Sequence, residues 1–200
     1  MIIIGLTGPS GAGKGTVAAL FASYGLPVLD ADKIYHELLL PPSPCLDAIA
    51  KRFGSQVLSS DGTLDRRVLG DTVFSDREAL NDLNHIAHRF VMDEVRKQLR
   101  ELEKSNVSAA VLDAPQLFEA GAEQICSAVV SVLANKELRA ARIMKRDGID
   151  EAHAMKRINA QKSDAFFKEH SDYIIENNTD PSELQVPIRR ILQDLEVLAT

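Results

Sequence analysis

Gly8-Pro-Ser-Gly-Ala-Gly-Lys-Gly-Thr16 decides how the rest of the chain is read. Before it, Ile2-Ile-Ile-Gly-Leu6 has the look of a short buried strand; after it, Val17-Ala-Ala-Leu-Phe-Ala22 reads as a helix. Strand, glycine-rich turn and helix in succession are the setting of a phosphate-binding loop. The glycines at 8, 11 and 13 let successive N–H groups face one anion. A helix starting near Lys14 brings its positive dipole end to the same point. Gly11, Ala12, Gly13, Lys14, Gly15 and Thr16 are therefore the expected nucleotide-binding residues, with Lys14 as the mobile charge for the β- and γ-phosphates.

The spacing G-x-x-x-x-G-K is met from Gly8 to Lys14, but Gly15 stands where Ser or Thr is usual. A hydroxyl there would touch Mg²⁺, so the metal contact is an open position, with Thr16 as the nearest substitute. Gly-Lys-Gly-Thr resembles adenylate- and cytidylate-kinase-like loops, so nucleotide binding is expected to survive the change. The plainer alternative is a strand–helix turn that binds nothing; Lys14 argues against it.

Two hundred residues with 45% hydrophobic content suffice for one α/β core carrying insertions, so 1–200 is read as a single domain. No apolar run reaches the roughly 20 residues that span a bilayer, and Met1-Ile-Ile-Ile lacks the basic flank of a secretory leader. Cys45 and Cys126 stand apart without metal-ligand spacing and read as buried thiols, which fits a cytoplasmic setting. A net charge of −6 disfavours a nucleic-acid binder without disfavouring a nucleotide enzyme.

Gly25–Asp30 reads as a turn and second strand, ending in Asp30-Ala-Asp32 ahead of a helix from Lys33 to Leu40. One of these carboxylates can cap the helix while the other accepts a proton from a substrate hydroxyl. Beyond Pro41-Pro-Ser-Pro44, helices are expected over Cys45–Phe53, around Glu78–Asn84, and from about Ile86 to Lys104 with Phe90, Val91, Val95 and Leu99 inward. This helical insertion, 34–104, is a candidate substrate holder. Arg66 and Arg67 are either phosphate contacts or solvated arginines. His85 and His88 lie one turn apart without a third ligand, so His88 reads as a packed residue or a substrate contact rather than zinc.

Ser108–Asp113 is a third strand, whose terminal Asp113 stands where a carboxylate can hold Mg²⁺. Ala128–Leu133 is a fourth strand. Glu137–Arg146 follows as a basic helix with Arg139, Arg142 and Arg146 on one face, either closing over ATP phosphates or simply solvated. With the Glu151–Lys162 helix it forms a lid, 136–165. Asp172–Glu176 is a fifth strand; Asp180-Pro-Ser-Glu183 starts a last helix with Leu184, Ile188, Ile191, Leu195 and Leu198 inward. The sum is a three-layer, doubly wound α/β domain around a parallel five-stranded sheet.

Several segments, taken in order, carry a family resemblance. Ile4-Gly-Leu-Thr-Gly8, Gly11-x-Gly-Lys14, Val28-Leu-Asp-Ala-Asp32 with His36, and Asp61-Gly-x-Leu-x-Arg66-Arg-x-Leu69 are similar to dephospho-CoA kinase. So are Leu83-Asn-x-Ile-x-His88, Asp113-x-Pro-x-Leu-Phe-Glu119, Arg157-Ile-x-x-Gln161 and Asp172-Tyr-Ile-Ile-x-Asn177. The resemblance implies ATP-dependent phosphorylation of the ribose 3′-hydroxyl of dephospho-CoA, with Mg²⁺. It makes Asp32 the base, Arg142 the lid arginine and Asn177 part of the ATP-adenine surround, and it places CoA binding, with Arg66 and His88, in the helical insertion. The loop alone is closer to a cytidylate kinase, and a non-catalytic nucleotide switch is a third reading. Asp30-Ala-Asp32 and Leu83-Asn-x-Ile-x-His88 argue against the first rival; Asp32 and the arginine lid argue against the second.

Overall fold

A computed structural model describes residues 1–198. β1 (Ile2–Thr7) runs centrally, with β3 (Ala109–Asp113) on one side and β4 (Ala128–Leu133) on the other, both parallel to it. β2 (Val28–Asp30) lies outside β3, and β5 (Tyr173–Glu176) pairs parallel with β4, giving the order β2-β3-β1-β4-β5. β3 and β4 are buried along their whole length, as interior parallel strands covered on both faces must be, which is why they read as unbroken apolar runs.

The chain divides into two compact units, one made of Met1–Leu29 and the described residues from Leu102 onward, the other of Asp30–Glu101. In the first, α1 (Lys14–Ser23) and α9 (Gln185–Asp194) lay Val17, Phe21, Ile188, Ile191 and Leu192 against Ile4, Leu6, Val111, Val130 and Val132. α6 (Lys136–Asp147) and α7 (Glu151–Asn159) share a small core of Ala140, Ile143, Ala154 and Ile158. α8 (Asp164–His170) has no counterpart in the sequence expectations. Ser163 caps it by accepting from the Phe166 N–H at 3.2 Å, Phe167 is buried, and Phe166 meets Phe118 edge-on at 5.3 Å. The expected lid, 136–165, thus covers α6, α7 and the first residues of α8.

The second unit holds α2 (Ala31–Leu38), α3 (Pro44–Phe53), α4 (Arg66–Phe74) and most of α5 (Arg77–Lys104). Leu39, Cys45, Ile49, Phe53, Leu69 and Val73 form its core. The two helices expected between Glu78 and Lys104 are one. Asp76 starts it by accepting from the Glu78 and Ala79 N–H groups, and no Gly or Pro interrupts it. Its inward residues are Ala79, Met92, Val95 and Leu99, so Met92 takes the place expected for Val91.

Candidate active site

The loop after β1 packs closely against Arg139 and Asn177 at two of its glycines. Gly11 has φ +80°, and a Cβ there would stand 2.6 Å from the Arg139 carbonyl oxygen. Gly13 has φ +93°, and its Cβ would stand 2.0 Å from Asn177 Nδ2. Both positions therefore require glycine for space as well as for backbone conformation. Gly13 precedes α1 without any side-chain cap, leaving the start of that helix suited to an anion.

Three side chains hold the loop's carbonyls. Asn177, buried just beyond β5, donates from Nδ2 to Ala12 O at 2.8 Å, while its own N–H binds Leu133 O at 2.7 Å. Arg142 Nη1 donates to Gly11 O and Ala12 O, each at 3.3 Å, and Nη2 to Asn177 O at 3.1 Å. Because a trans peptide sets C=O and N–H in opposite directions, holding Ala12 O turns the Gly13 N–H the other way. Arg139, only 2% exposed, donates from Nε to Ser10 O at 3.0 Å and from Nη2 to Gln161 Oε1 at 2.9 Å. Burial pulls the Arg139 guanidinium below its usual value, and Asp164 partly restores it. Arg146 reaches Ser10 Oγ at 3.4 Å, and Asp147 binds both Arg146 and Arg157.

Lys14 Nζ donates to Asp113 Oδ1, joining the loop lysine to the carboxylate at the end of β3. Both side chains are mostly buried. Gly15 and Thr16 are exposed in the first turn of α1, and nothing lies within 4 Å of the Cβ position on Gly15. Magnesium takes oxygen donors and keeps several waters. Asp113 and Thr16 offer oxygen, and the space over Gly15 admits a water where a serine would stand, so the residues present fit the ion. Among the described residues no group of three or more His, Cys, Asp or Glu could hold a metal, and no helix is long and apolar enough to cross a membrane.

In the second unit the two carboxylates differ in their bonding. Asp30 caps α2, accepting from the Lys33 N–H at 3.0 Å, and Asp32 is exposed in the first turn. Arg66 is exposed at the start of α4, after its cap Asp65. It lies near enough to Tyr35 to oppose the upward shift that burial and then Cys45 give that phenol. His88 is half-buried on α5.

The structure thus brings Gly11, Ala12, Gly13, Lys14, Asp113, Arg142 and Asn177 into one connected arrangement. Sequence reasoning missed that Arg139 faces inward, buried and bonded to Ser10 O and Gln161 Oε1. A hint lay in Gln161 just beyond the end of α7, but pairing it with Ser10 and Arg139 needs the fold.

The dephospho-CoA kinase family model matches residues 2–183. A dephospho-CoA kinase of Syntrophotalea carbinolica is 39% identical over 178 residues, 89% of this chain and 84% of that protein. Among solved structures, TT1252 from Thermus thermophilus superposes with a TM-score of 0.82 at 33% identity, covering 97% of each chain. Dephospho-CoA kinase from Campylobacter jejuni does so at 0.71 and 27%, covering 96% of each.

Proposed function

This chain belongs to the dephospho-CoA kinase family, and on that premise we propose how its residues share ATP-dependent phosphorylation of the ribose 3′-hydroxyl of dephospho-CoA. It is a kinase of P-loop fold, with ATP as phosphoryl donor. Phosphoryl transfer asks little covalent work of a protein and much positioning and charge stabilisation. The loop N–H groups of 11–16 and the start of α1 take the phosphates, and Lys14 supplies the mobile charge. Arg142 is the lid arginine; in this structure its guanidinium braces the loop carbonyls, so contact with the γ-phosphate requires exchanging those bonds. Asn177 shapes the ATP site by fixing the loop it packs against. When bound, Mg²⁺ would neutralise phosphate charge, with Asp113 and Thr16 as the residues to hold it.

Asp32 is the base that orients the 3′-hydroxyl and accepts its proton. The observation that carries this is the division of labour at the end of β2: Asp30 takes the cap and leaves the Asp32 carboxylate exposed. Arg66 and His88 contact dephospho-CoA within the helical insertion. A cytoplasmic setting agrees with the two free thiols and the substrate.

Purified protein is given Mg-ATP with dephospho-CoA, CMP or AMP, and products are separated. Turnover of dephospho-CoA alone is expected. Turnover of CMP or AMP instead would restore the nucleoside monophosphate kinase suggested by the loop, and no turnover with any acceptor would leave a nucleotide-binding switch.

A further inference from the structure

We propose that Arg139 is a positioning residue for ATP, acting with Gln161 to clamp both backbone polar groups of Ser10 at the crest of the phosphate loop. Ser10 O accepts from Arg139 Nε at 3.0 Å, and the Ser10 N–H donates to Gln161 Oε1 at 3.1 Å. The same Oε1 accepts from Arg139 Nη2 at 2.9 Å, which closes the three residues into a ring. Asp164 Oδ1, at 3.6 Å from Nη1, supplies the counter-charge from the start of α8.

A buried guanidinium is costly unless its donors are used. Here they are spent on the loop and on Gln161 rather than turned toward solvent. The clamp fixes the peptide planes on either side of Ser10. The Arg139 backbone also abuts Gly11 from α6, so the same residue limits the next turn of the loop. The loop's N–H groups bind phosphates only if they already converge, because an unclamped loop must spend binding energy on ordering itself. α6, α7 and α8 thereby set the loop's conformation through one side chain, a role separate from any phosphate contact by Arg142.

The inference rests on the reading that this loop takes ATP, and its test keeps the two apart. Arg139→Gln, Arg139→Lys and Gln161→Ala are compared with the parent for melting temperature, ATP affinity by calorimetry, and KM for each substrate. Arg139→Gln and Gln161→Ala are each expected to weaken ATP binding about tenfold, with the KM for dephospho-CoA within about twofold, and the double variant no weaker than either single one. Arg139→Lys is expected not to rescue, since an ammonium cannot serve Ser10 O and Gln161 Oε1 in the guanidinium's fork. A lowered melting temperature with parental ATP affinity would assign Arg139 to stability alone and overturn the proposal. If the Arg139 variants fail to fold, Gln161→Ala, at an exposed position, decides it: unchanged ATP affinity overturns the clamp. Parent protein that binds ATP without phosphorylating dephospho-CoA would count against the functional reading and leave the clamp to the binding data.

Discussion

Asn177 Nδ2 donates to the carbonyl oxygen of Ala12 at 2.8 Å, tying the end of β5 to the phosphate loop across 165 positions of sequence. The bond is buried, and the Asn177 N–H is itself fixed on Leu133 at the end of β4. The loop therefore takes its shape from the strands beside it as well as from its own glycines. Gly13→Ala tests this. The new Cβ would meet Asn177 Nδ2 and hold a positive φ, a conformation costing about 1–3 kcal/mol in a non-glycine residue. A lower melting temperature and at least about a tenfold loss in kcat/KM for ATP are expected. Adding Asn177→Ala relieves the clash but keeps the positive φ and gives up the bond to Ala12 O, so only part of either loss returns; full recovery would mean that neither the positive φ nor that bond matters here.

The two aspartates at the end of β2 and the start of α2 are expected to separate stability from the proposed catalysis. Asp30→Ala removes a cap and is expected to cost about 1 kcal/mol of stability while sparing kcat. Asp32→Asn removes the proposed base from an exposed position and is expected to lower kcat about 10²–10⁴-fold, with melting temperature and ATP affinity unchanged. Urea unfolding and steady-state kinetics on both variants check this; the opposite pattern would move the base to Asp30.

In the proposed reaction Lys14 supplies charge where negative charge gathers during transfer, so Lys14→Ala is expected to lower kcat/KM about 10²–10³-fold. The substitution also removes the partner that Asp113 has in Lys14, so stability is measured alongside. Parental kcat/KM in the variant would mean the loop has been misread.

The sheet, the loop and the dephospho-CoA kinase motifs were legible because each rests on local pattern. An apolar run makes β4 and glycine spacing makes the loop, while Asp30-Ala-Asp32 offers two caps and the structure takes Asp30. What escaped depends on long-range pairing. Arg139, Arg142 and Arg146 share helical spacing, yet Arg139 is buried on Ser10, Arg142 lies on Gly11, Ala12 and Asn177, and Arg146 pairs with Asp147. Periodicity gives a face and not what covers it. α8 was missed because seven residues show too little periodicity, although Ser163 already carried a cap signal. The break placed near His85 failed for the opposite reason: Asn81, Asp82, Asn84 and His85 thin the apolar pattern without interrupting the helix.

The thiols predict an alkaline limit to stability. Burial pushes Cys45 up to about 11 and Cys126 up to about 12, the latter aided by Glu123 and Asp172, from an ordinary value of 9.0. Below pH 9.0 both states hold these protons and the stabilisation is fully present. Above it the unfolded chain loses them first, so stability falls as pH rises toward the folded values. Denaturant midpoints measured from about pH 8 to about pH 10.5 should fall for the parent, and fall less steeply for Cys45→Ala and Cys126→Ala; equal slopes in all three would place the loss elsewhere.

Gly15 gives the sharpest question about the metal. It lies in the first turn of α1 with open space where a Cβ would stand, so Gly15→Ser meets no steric obstacle. Serine also favours a helix over glycine by about 0.5 kcal/mol, so the melting temperature should hold or rise slightly. The new hydroxyl would offer an oxygen in the place left to water. The Mg²⁺ concentration for half-maximal ATP binding, followed by calorimetry, is then expected to fall several-fold, with turnover changed by less than about threefold because one oxygen ligand replaces another. An unchanged Mg²⁺ requirement would mean that Thr16 or water already serves the ion as well as a serine does, and that Gly15 costs this loop nothing.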